Sequence, residues 1–218
     1  VGNASDLELK SGATVLVPDE PAVTSVAIHG GAPGTREIAL LEPEQTVEKI
    51  DAIVLATATP DETFPATATR VQHALGMTNG FAFDVQAVCA GFVYALTNAN
   101  ALITSGTVRR GMVIGAETFS RILDWSDRST CVLFGDGAGA LILSAEPGAG
   151  TLADRGVMSV KLHSDGAHHD LLYVDGGPSS TGRAGCVRMQ GQRVFQHAVN
   201  KLAQVAHEAM DSVGATAD

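Results

Sequence analysis

The run Phe81-Ala82-Phe83-Asp84-Val85 reads as a buried strand, and Ala90 to Ser105 just behind it reads as a helix of small and apolar residues. Cys89 falls at the turn between them. Asp51 to Thr57, a continuous apolar run, reads as a strand of the parallel-sheet type. Thr59 to Pro65 is a loop, and Ala66 to Leu75 a helix with Gly76 placed to cap its C-terminus. Gly111 to Ala116 supplies the next strand. Strand, helix, strand, helix, strand predicts βαβ units around one sheet.

Outside this core the pattern is more broken. Thr14 to Val17 and Val23 to His29 read as short strands around the turn Pro18-Asp19-Glu20-Pro21. The Gly/Pro-rich loop from His29 to Glu37 lacks the Gly-Lys-Ser/Thr ending of a phosphate loop. Glu117 to Thr130 is polar and irregular. Cys131 to Phe134 and Ala138 to Ser144 flank Gly135-Asp136-Gly137 and read as paired or bulged strands. Pro147-Gly148-Ala149-Gly150 marks an internal boundary. Val157 to His163, Leu171 to Val174 and Cys186 to Met189 read as further strands. Gln192 to Val213 is a long amphipathic helix closed by Gly214. Val194, Phe195, Ala198, Val199, Leu202, Val205, Ala206, Ala209 and Met210 line one side of it.

Composition narrows the function classes. The 218 residues are 45% hydrophobic and 17% charged, enough apolar material for a substantial core. A formal charge of −10 argues against nucleic acid or anionic lipid as the main partner. Cys89, Cys131 and Cys186 form an odd set without C-x-x-C spacing, which argues against a disulfide framework or a zinc site. A reducing compartment, the cytoplasm, fits that usage. No apolar run approaches the ~18 residues of a membrane span. The opening Val1-Gly2-Asn3-Ala4-Ser5 lacks a signal-peptide pattern and a starting Met.

Cys89 is the residue with chemistry to offer. A helix N-terminus presents N–H groups and the positive end of the dipole, which favour a thiolate. The competing reading is a small cysteine that merely packs. The histidines suggest less. His168-His169-Asp170 has no third ligand at helpful spacing, so no metal is expected, and a solvated loop is the better reading. His163 reads as structural, and His197 and His207 as part of the long helix's polar face.

From about Val47 to Asp218 the sequence resembles β-ketoacyl-acyl-carrier-protein synthase III, of the thiolase-like superfamily. The matching segments stand in the family's order. They are Asp51 to Thr57, Phe64-Pro65-Ala66, Asp84 to Gly91 around the active-site cysteine, and Asp127-Arg128. Phe134 to Ala140, Leu162 to Gly166 and Met189 to Phe195 follow. A cysteine in this frame with Gly-Asp-Gly-Ala-Gly-Ala downstream is a highly specific combination.

Residues 1–46 do not fit that family, which would open with a Gly-rich strand and a Trp-containing Arg-Thr-Gly-Ile segment. Instead Val1 to Ser5, Thr14-Val15 and Gly30 to Glu37 resemble the opening of the P1-type, β-aminopeptidase-like N-terminal-nucleophile hydrolases. That likeness runs to about Leu55, where the sequence departs from the peptidase pattern. The chain looks chimeric, joined within the strand from Val47 to Leu55. The expected organisation is a peptidase-like segment over 1–46, a thiolase-like first half over 47–146 and the start of a second half over 147–218. The fold class is α/β, a thiolase-like fold truncated at both ends, its first half lacking the opening strand and helix and its second half incomplete.

The resemblance implies an acyltransferase of fatty acid biosynthesis. Cys89 is the implied catalytic nucleophile, acylated by acyl-CoA and then condensed with malonyl-acyl carrier protein. Phe64, Arg128, Gly191 and Phe195 match substrate-binding positions. Arg128 would meet the nucleotide end of CoA, and Phe195 would line the pantetheine channel. Acyl-CoA, an acyl carrier protein and a second copy of the chain are the implied partners, with no cofactor beyond the substrates. The family's histidine and asparagine for decarboxylation have no counterpart in the sequence, so condensation is expected to be impaired. The rival readings are a P1-type amidohydrolase fragment, resting on residues 1–55, and a catalytically dead thiolase-like remnant.

Overall fold

The computed structural model describes residues 6–8, 14–16, 26–29, 36–38, 49–148, 152 and 156–216. It divides into two compact units, residues 1–118 with 136–146, and residues 119–135 with 147–218.

The first unit is organised by β5 (Ala52–Ala56), the middle of a four-stranded sheet. β6 (Phe81–Val85) and β7 (Arg110–Thr118) lie on either side of it, both parallel, and β8 (Asp136–Ser144) runs antiparallel on the outer edge of β7. The order β6-β5-β7-β8 follows from two crossovers through α1 (Thr67–Ala74) and α2 (Gly91–Thr104). All five residues of β5 are buried, as a strand covered on both faces requires. Ile53 and Leu55 pack with Met112 and Ile114 of β7 and with Ala68 and Val71 of α1. Val54 and Ala56 point the other way, onto Val113 and onto Ala95 and Ala99 of α2. The period of two in the strand thus builds two apolar layers at once.

Small residues set how closely α2 approaches. A Cβ on Gly91 would stand 3.2 Å from the Ala56 Cβ, and one on Gly115 would stand 3.1 Å from the Phe92 ring. At the opposite edge of the sheet, the Asp51 carboxylate accepts the Arg109 and Arg110 N–H groups at 2.7 and 2.9 Å. Gly80 is obligatory there: its φ is +81° and a Cβ would collide with the Asp51 carbonyl.

The same unit contains an antiparallel meander, β1 (Asp6–Glu8), β2 (Thr14–Leu16), β3 (Val26–His29) and β4 (Arg36–Ile38). Leu16 faces Asp6, His29 faces Thr14, and Ile38 faces Val26. The expected turn over 18–21 and the Gly/Pro-rich loop over 30–35 lie outside the described residues, as do Ala149 and Gly150 of the internal boundary.

The second unit holds a two-stranded ladder of β9 (Leu172–Val174) and β10 (Val187–Met189), followed by α3 (Gly191–Asp211). Its small core joins Leu123, Cys131 and Val187 with Phe119, Phe134 and Leu172. The rings of Phe119 and Phe134 stack at 5.2 Å.

Two sequence expectations change here. Cys131–Leu133 is a 3-10 turn rather than a strand, because the Cys131 N–H is taken by the Asp127 carbonyl and the Leu133 N–H by Thr130. Val157 to His163 forms no strand. It is tied to α3 by side chains instead, Ser159 to Ser212 at 2.7 Å and His163 to Glu208 at 2.6 Å. Alternation of apolar residues cannot distinguish a strand from an extended strap, since both alternate their side chains.

Arg188 joins two carboxylates in this unit. Its Nε donates to Asp175 at 2.6 Å and its Nη1 to Asp124 at 2.9 Å. The Ser126 hydroxyl and then Arg188 hold the Asp124 carboxyl at about 2, against an ordinary 3.8. The Cys186 N–H and then Arg188 lower Asp175 as well. A folded pKa below the unfolded one stabilises the fold above the unfolded value and is lost as pH falls through the folded value. The network therefore supports the second unit above pH 3.8 and fails towards pH 2. Acid titration followed by Trp125 fluorescence is expected to show a steeper loss across that window than the double variant Ser126→Ala, Arg188→Ala. Superimposable titrations would show that the network contributes nothing.

Candidate active site

Cys89 lies in a 3-10 turn, Val88–Ala90, that joins β6 to α2 at the carboxyl edge of the parallel strands. It is exposed, whereas Cys131 is buried and Cys186 half-buried. The turn is strained, because Val88 has a φ of +47°. A β-branched residue rarely enters the left-handed region, and such strain persists only where the surroundings over-determine it. Here the surroundings are the two close contacts of α2, Gly91 on Ala56 and Phe92 on Gly115, which fix the helix start against the sheet. No side chain caps that helix start. The arrangement presents a thiol outward at the end of a rigid strand, the position where open α/β sheets commonly bind ligands.

Two carboxylates organise the backbone around this edge. Glu117 accepts the Ala58 N–H at 2.9 Å and the Thr59 hydroxyl at 2.6 Å. The Thr59 oxygen in turn accepts the Thr118 N–H at 2.8 Å. Asp84 accepts the Thr67 and Ala68 N–H groups at 2.7 and 2.8 Å. It thereby caps α1 from β6, since Ala66 at that helix's own N-cap has no side chain to do so. Phe64 stands on the loop between the two anchor points and is 82% exposed.

The other sequence-selected residues belong to the second unit. Arg128 is exposed, in a turn where Asp127 accepts the Ser129 N–H and hydroxyl at 3.1 and 2.6 Å. Those bonds, the Ser129 hydroxyl foremost, keep the Asp127 carboxyl below its ordinary range. Gly191 opens α3 and is exposed. Phe195, one turn on, is 69% exposed. The structure brings Phe64 into the same unit as Cys89 and places Arg128, Gly191 and Phe195 together in the other unit.

Four of the histidines are engaged with neighbouring side chains. His163 bonds Glu208, the His168 ring lies tilted against that of His197 with centroids 4.1 Å apart, and His169 bonds Asp170. Among the described residues no group of three His, Cys, Asp or Glu side chains could hold a metal ion. Among the described residues no helix is long and apolar enough to cross a membrane.

Sequence reading missed Glu117 and the capping role of Asp84. The available signal was a carboxylate within or at the end of an otherwise apolar strand, which must find donors if it is partly buried. The strain at Val88 left no trace in the sequence.

The exposure difference makes a kinetic prediction. Iodoacetamide is expected to modify Cys89 first, Cys186 more slowly and Cys131 last, read by peptide mapping after a brief pulse. Equal labelling of all three would remove the case for a presented thiol.

Comparison with known proteins agrees with this architecture. The family model for 3-oxoacyl-[acyl-carrier-protein] synthase III matches residues 83–166. The β-ketoacyl-[acyl-carrier-protein] synthase III of Ruegeria pomeroyi is 67% identical over 178 residues, 82% of this chain and 55% of the relative. That of Jannaschia sp. is 65% identical over 169 residues, 78% of this chain and 52% of the relative. Among solved structures, the 3-oxoacyl-(acyl carrier protein) synthase III of Pseudomonas aeruginosa PAO1 aligns with a TM-score of 0.69 at 40% identity. It covers 77% of this chain and 51% of that one. The Aquifex aeolicus VF5 enzyme aligns with a TM-score of 0.67 at 34% identity, covering 83% and 61%. The chain spans about half the length of the curated relatives it matches. Over about half the length of those proteins the chain is thus similar to 3-oxoacyl-[acyl-carrier-protein] synthase III, and Cys89, at its strand-to-helix turn, lies within the matched residues.

Proposed function

We propose that the chain is a β-ketoacyl-acyl-carrier-protein synthase III-type acyltransferase of fatty acid biosynthesis, with Cys89 as its nucleophile. The observation that carries this reading is the exposed Cys89 in the strained turn between β6 and α2, inside the region that matches the family. The Cys89 sulfur attacks the thioester carbonyl of acyl-CoA, the carbon–sulfur bond to CoA breaks, and CoA leaves as its thiol. Malonyl-acyl carrier protein then loses carbon dioxide, and the carbanion formed attacks the Cys89 thioester. The new carbon–carbon bond gives a 3-oxoacyl product and frees the Cys89 sulfur. A cysteine suits both halves, because its thioester is matched in energy to those of donor and product. The Cys89 backbone N–H is the natural donor to the oxyanion of the tetrahedral intermediates.

Arg128 is proposed to meet the nucleotide end of CoA, and Gly191 and Phe195 to border the pantetheine path. Phe64 is proposed to reach a second copy of the chain in a homodimer, which fits its exposure on a tethered loop. The substrates serve without an added cofactor, and the expected compartment is the cytoplasm. The likeness of residues 1–55 to P1-type aminopeptidases is carried by their sequence alone, and with it the chimeric reading. An amide-cleavage assay on β-amino acyl substrates tests it: turnover would favour that reading over acyl transfer.

Two outcomes are expected of the 218-residue polypeptide by itself. Given acetyl-CoA, it gains one acetyl group by intact mass, and Cys89→Ala gains none. Given malonyl-acyl carrier protein as well, it makes little 3-oxoacyl product. The family's histidine and asparagine have no counterpart in these residues, and losing a group that stabilises developing charge costs about 3 kcal/mol. Condensation at an ordinary enzymatic rate, abolished by Cys89→Ala, would require another residue, His163 first, to act in their place. Arg128→Ala is expected to weaken CoA binding measured by calorimetry, and unchanged binding would contradict the placement of that residue.

A further inference from the structure

The segment from Ser159 to Asp170 runs antiparallel along α3 and meets it at four places. The Ser159 hydroxyl bonds that of Ser212 at 2.7 Å, and His163 Nε2 lies 2.6 Å from a Glu208 carboxylate oxygen. Nearer the helix start, the His168 ring lies tilted against that of His197, with centroids 4.1 Å apart. At the start itself the Gln190 side-chain amide donates to the Asp170 carbonyl at 3.1 Å. Apolar burial backs these ties only weakly, because α3 has no fully buried residue.

The two histidine contacts answer a proton in opposite ways. His163 faces a carboxylate. The Gln204 amide and then His163 hold the Glu208 carboxyl below its ordinary range, so it stays charged while a histidine titrates. Lys161 adds a positive charge nearby, and His207 and Asp211 are neighbours of Glu208 along α3. A proton on His163 therefore turns a hydrogen bond from a neutral ring into an ion pair. His168 instead faces another histidine. Asp165 supplies one carboxylate beside it, its Oδ2 3.6 Å from His168 Nε2. A second proton, on His197, meets that charged ring, with Arg193 and Lys201 one turn away on either side along α3. The other charges around the 3-10 turn Gly166–Leu171 are taken up elsewhere. His169 bonds Asp170 at 2.8 Å and lies against Tyr173 of β9, and Arg188 of β10 pairs with Asp124 and Asp175. Two like charges at this separation repel, so protonation of both rings favours parting them.

We propose that these contacts form a pH-sensitive clamp on α3. As pH falls through the ordinary histidine range, about 6.5, the turns that bear Gly191 and Phe195 are released, while the end that bears Glu208 and Ser212 is gripped more firmly. The Gln190 backbone N–H, bonded to the Leu171 carbonyl at 2.8 Å, keeps the helix start attached. The release is thus a local opening and not a swing of the whole helix. The clamp itself is independent of the acyl-transfer reading. Its consequence, a looser pantetheine path at low pH, rests on that reading.

The full chain, as wild type, His197→Gln and Glu208→Gln, is compared at about pH 7.5 and about pH 5.5, roughly one unit either side of histidine's ordinary value. Amide hydrogen exchange, corrected for its intrinsic pH dependence, is read along α3. In the wild type, protection of amides 195–198 is expected to fall about fivefold at the lower pH, while that of 208–211 holds or rises. Glutamine cannot take the proton, so in His197→Gln protection of 195–198 is expected to agree within about twofold at the two pH values. Glu208→Gln is expected to keep the loss at 195–198 and to forfeit the grip at 208–211. General loosening in acid would lower protection along the whole helix in all three chains, and that outcome overturns the clamp. Loss at 195–198 that persists in His197→Gln overturns it as well. Should His197→Gln fail to fold, His168→Gln removes the facing ring and carries the same expectation. CoA binding by calorimetry separates the clamp from its consequence. Between the two pH values, wild-type affinity is expected to drop about threefold more than that of His197→Gln. Opening seen by exchange without that difference supports the clamp and overturns the placement of Gly191 and Phe195 on the pantetheine path.

Discussion

Burial of β5 on both faces is the constraint from which the first unit is built. Ile53, Val54 and Leu55 are almost wholly shielded, and Val113 of the neighbouring strand with them. Each such side chain contributes about 1.5–3 kcal/mol on leaving water. Because successive side chains point to opposite faces, no register of this strand could bury one layer alone. α1 must cover one face and α2 the other, and both crossovers then bring their helix starts to the same edge. The location of Cys89 follows from this requirement. It is the residue at which the chain leaves β6 and has to turn sharply into α2.

Close packing and hydrogen bonding divide the work of holding that turn. Alanine and glycine let α2 lie near the sheet: Ala95 and Ala99 on the helix, Ala56 under Gly91, Gly115 under Phe92. A helix fixed at that distance leaves few positions for the five residues between strand and helix, and Val88 takes up the strain. On the neighbouring segment the work falls to charge-assisted hydrogen bonds. Asp84 and Glu117 each accept two donors, the arrangement in which a partly buried carboxylate is stable rather than costly.

The second unit is held differently. Its apolar core is small, and the long helix α3 has no fully buried residue. The broad apolar side of that helix is split. Val194, Ala198, Val205, Ala209 and Met210 are half-buried, while Phe195, Val199, Leu202 and Ala206 stand exposed. Side-chain ties make up part of the difference, with Arg188 between Asp124 and Asp175 and with Glu208 receiving His163. Such polar ties respond to pH and ionic strength as a hydrophobic core would not.

Much of this was legible in the sequence. Apolar runs of strand length, a helix of small residues and the glycines that punctuate them are local signals, and they specified β5, β6, β7, α1, α2 and α3 nearly to their ends. The cysteine at the strand-to-helix turn was legible for the same reason, since its position along the chain is its position in the βαβ unit. What sequence could not decide depended on partners distant along the chain. Cys131 to Leu133 turns instead of extending because Asp127 captures the Cys131 N–H and Thr130 the Leu133 N–H. Val157 to His163 stays unpaired because its ties are to α3, some forty-five to fifty-three residues on. Phe195 and Leu202 have the periodicity of core residues, yet periodicity identifies only a face and not what covers it. The roles of Asp84 and Glu117 belong to the same class: a carboxylate in a strand announces that it needs donors, and only the tertiary structure determines which backbone groups come within reach.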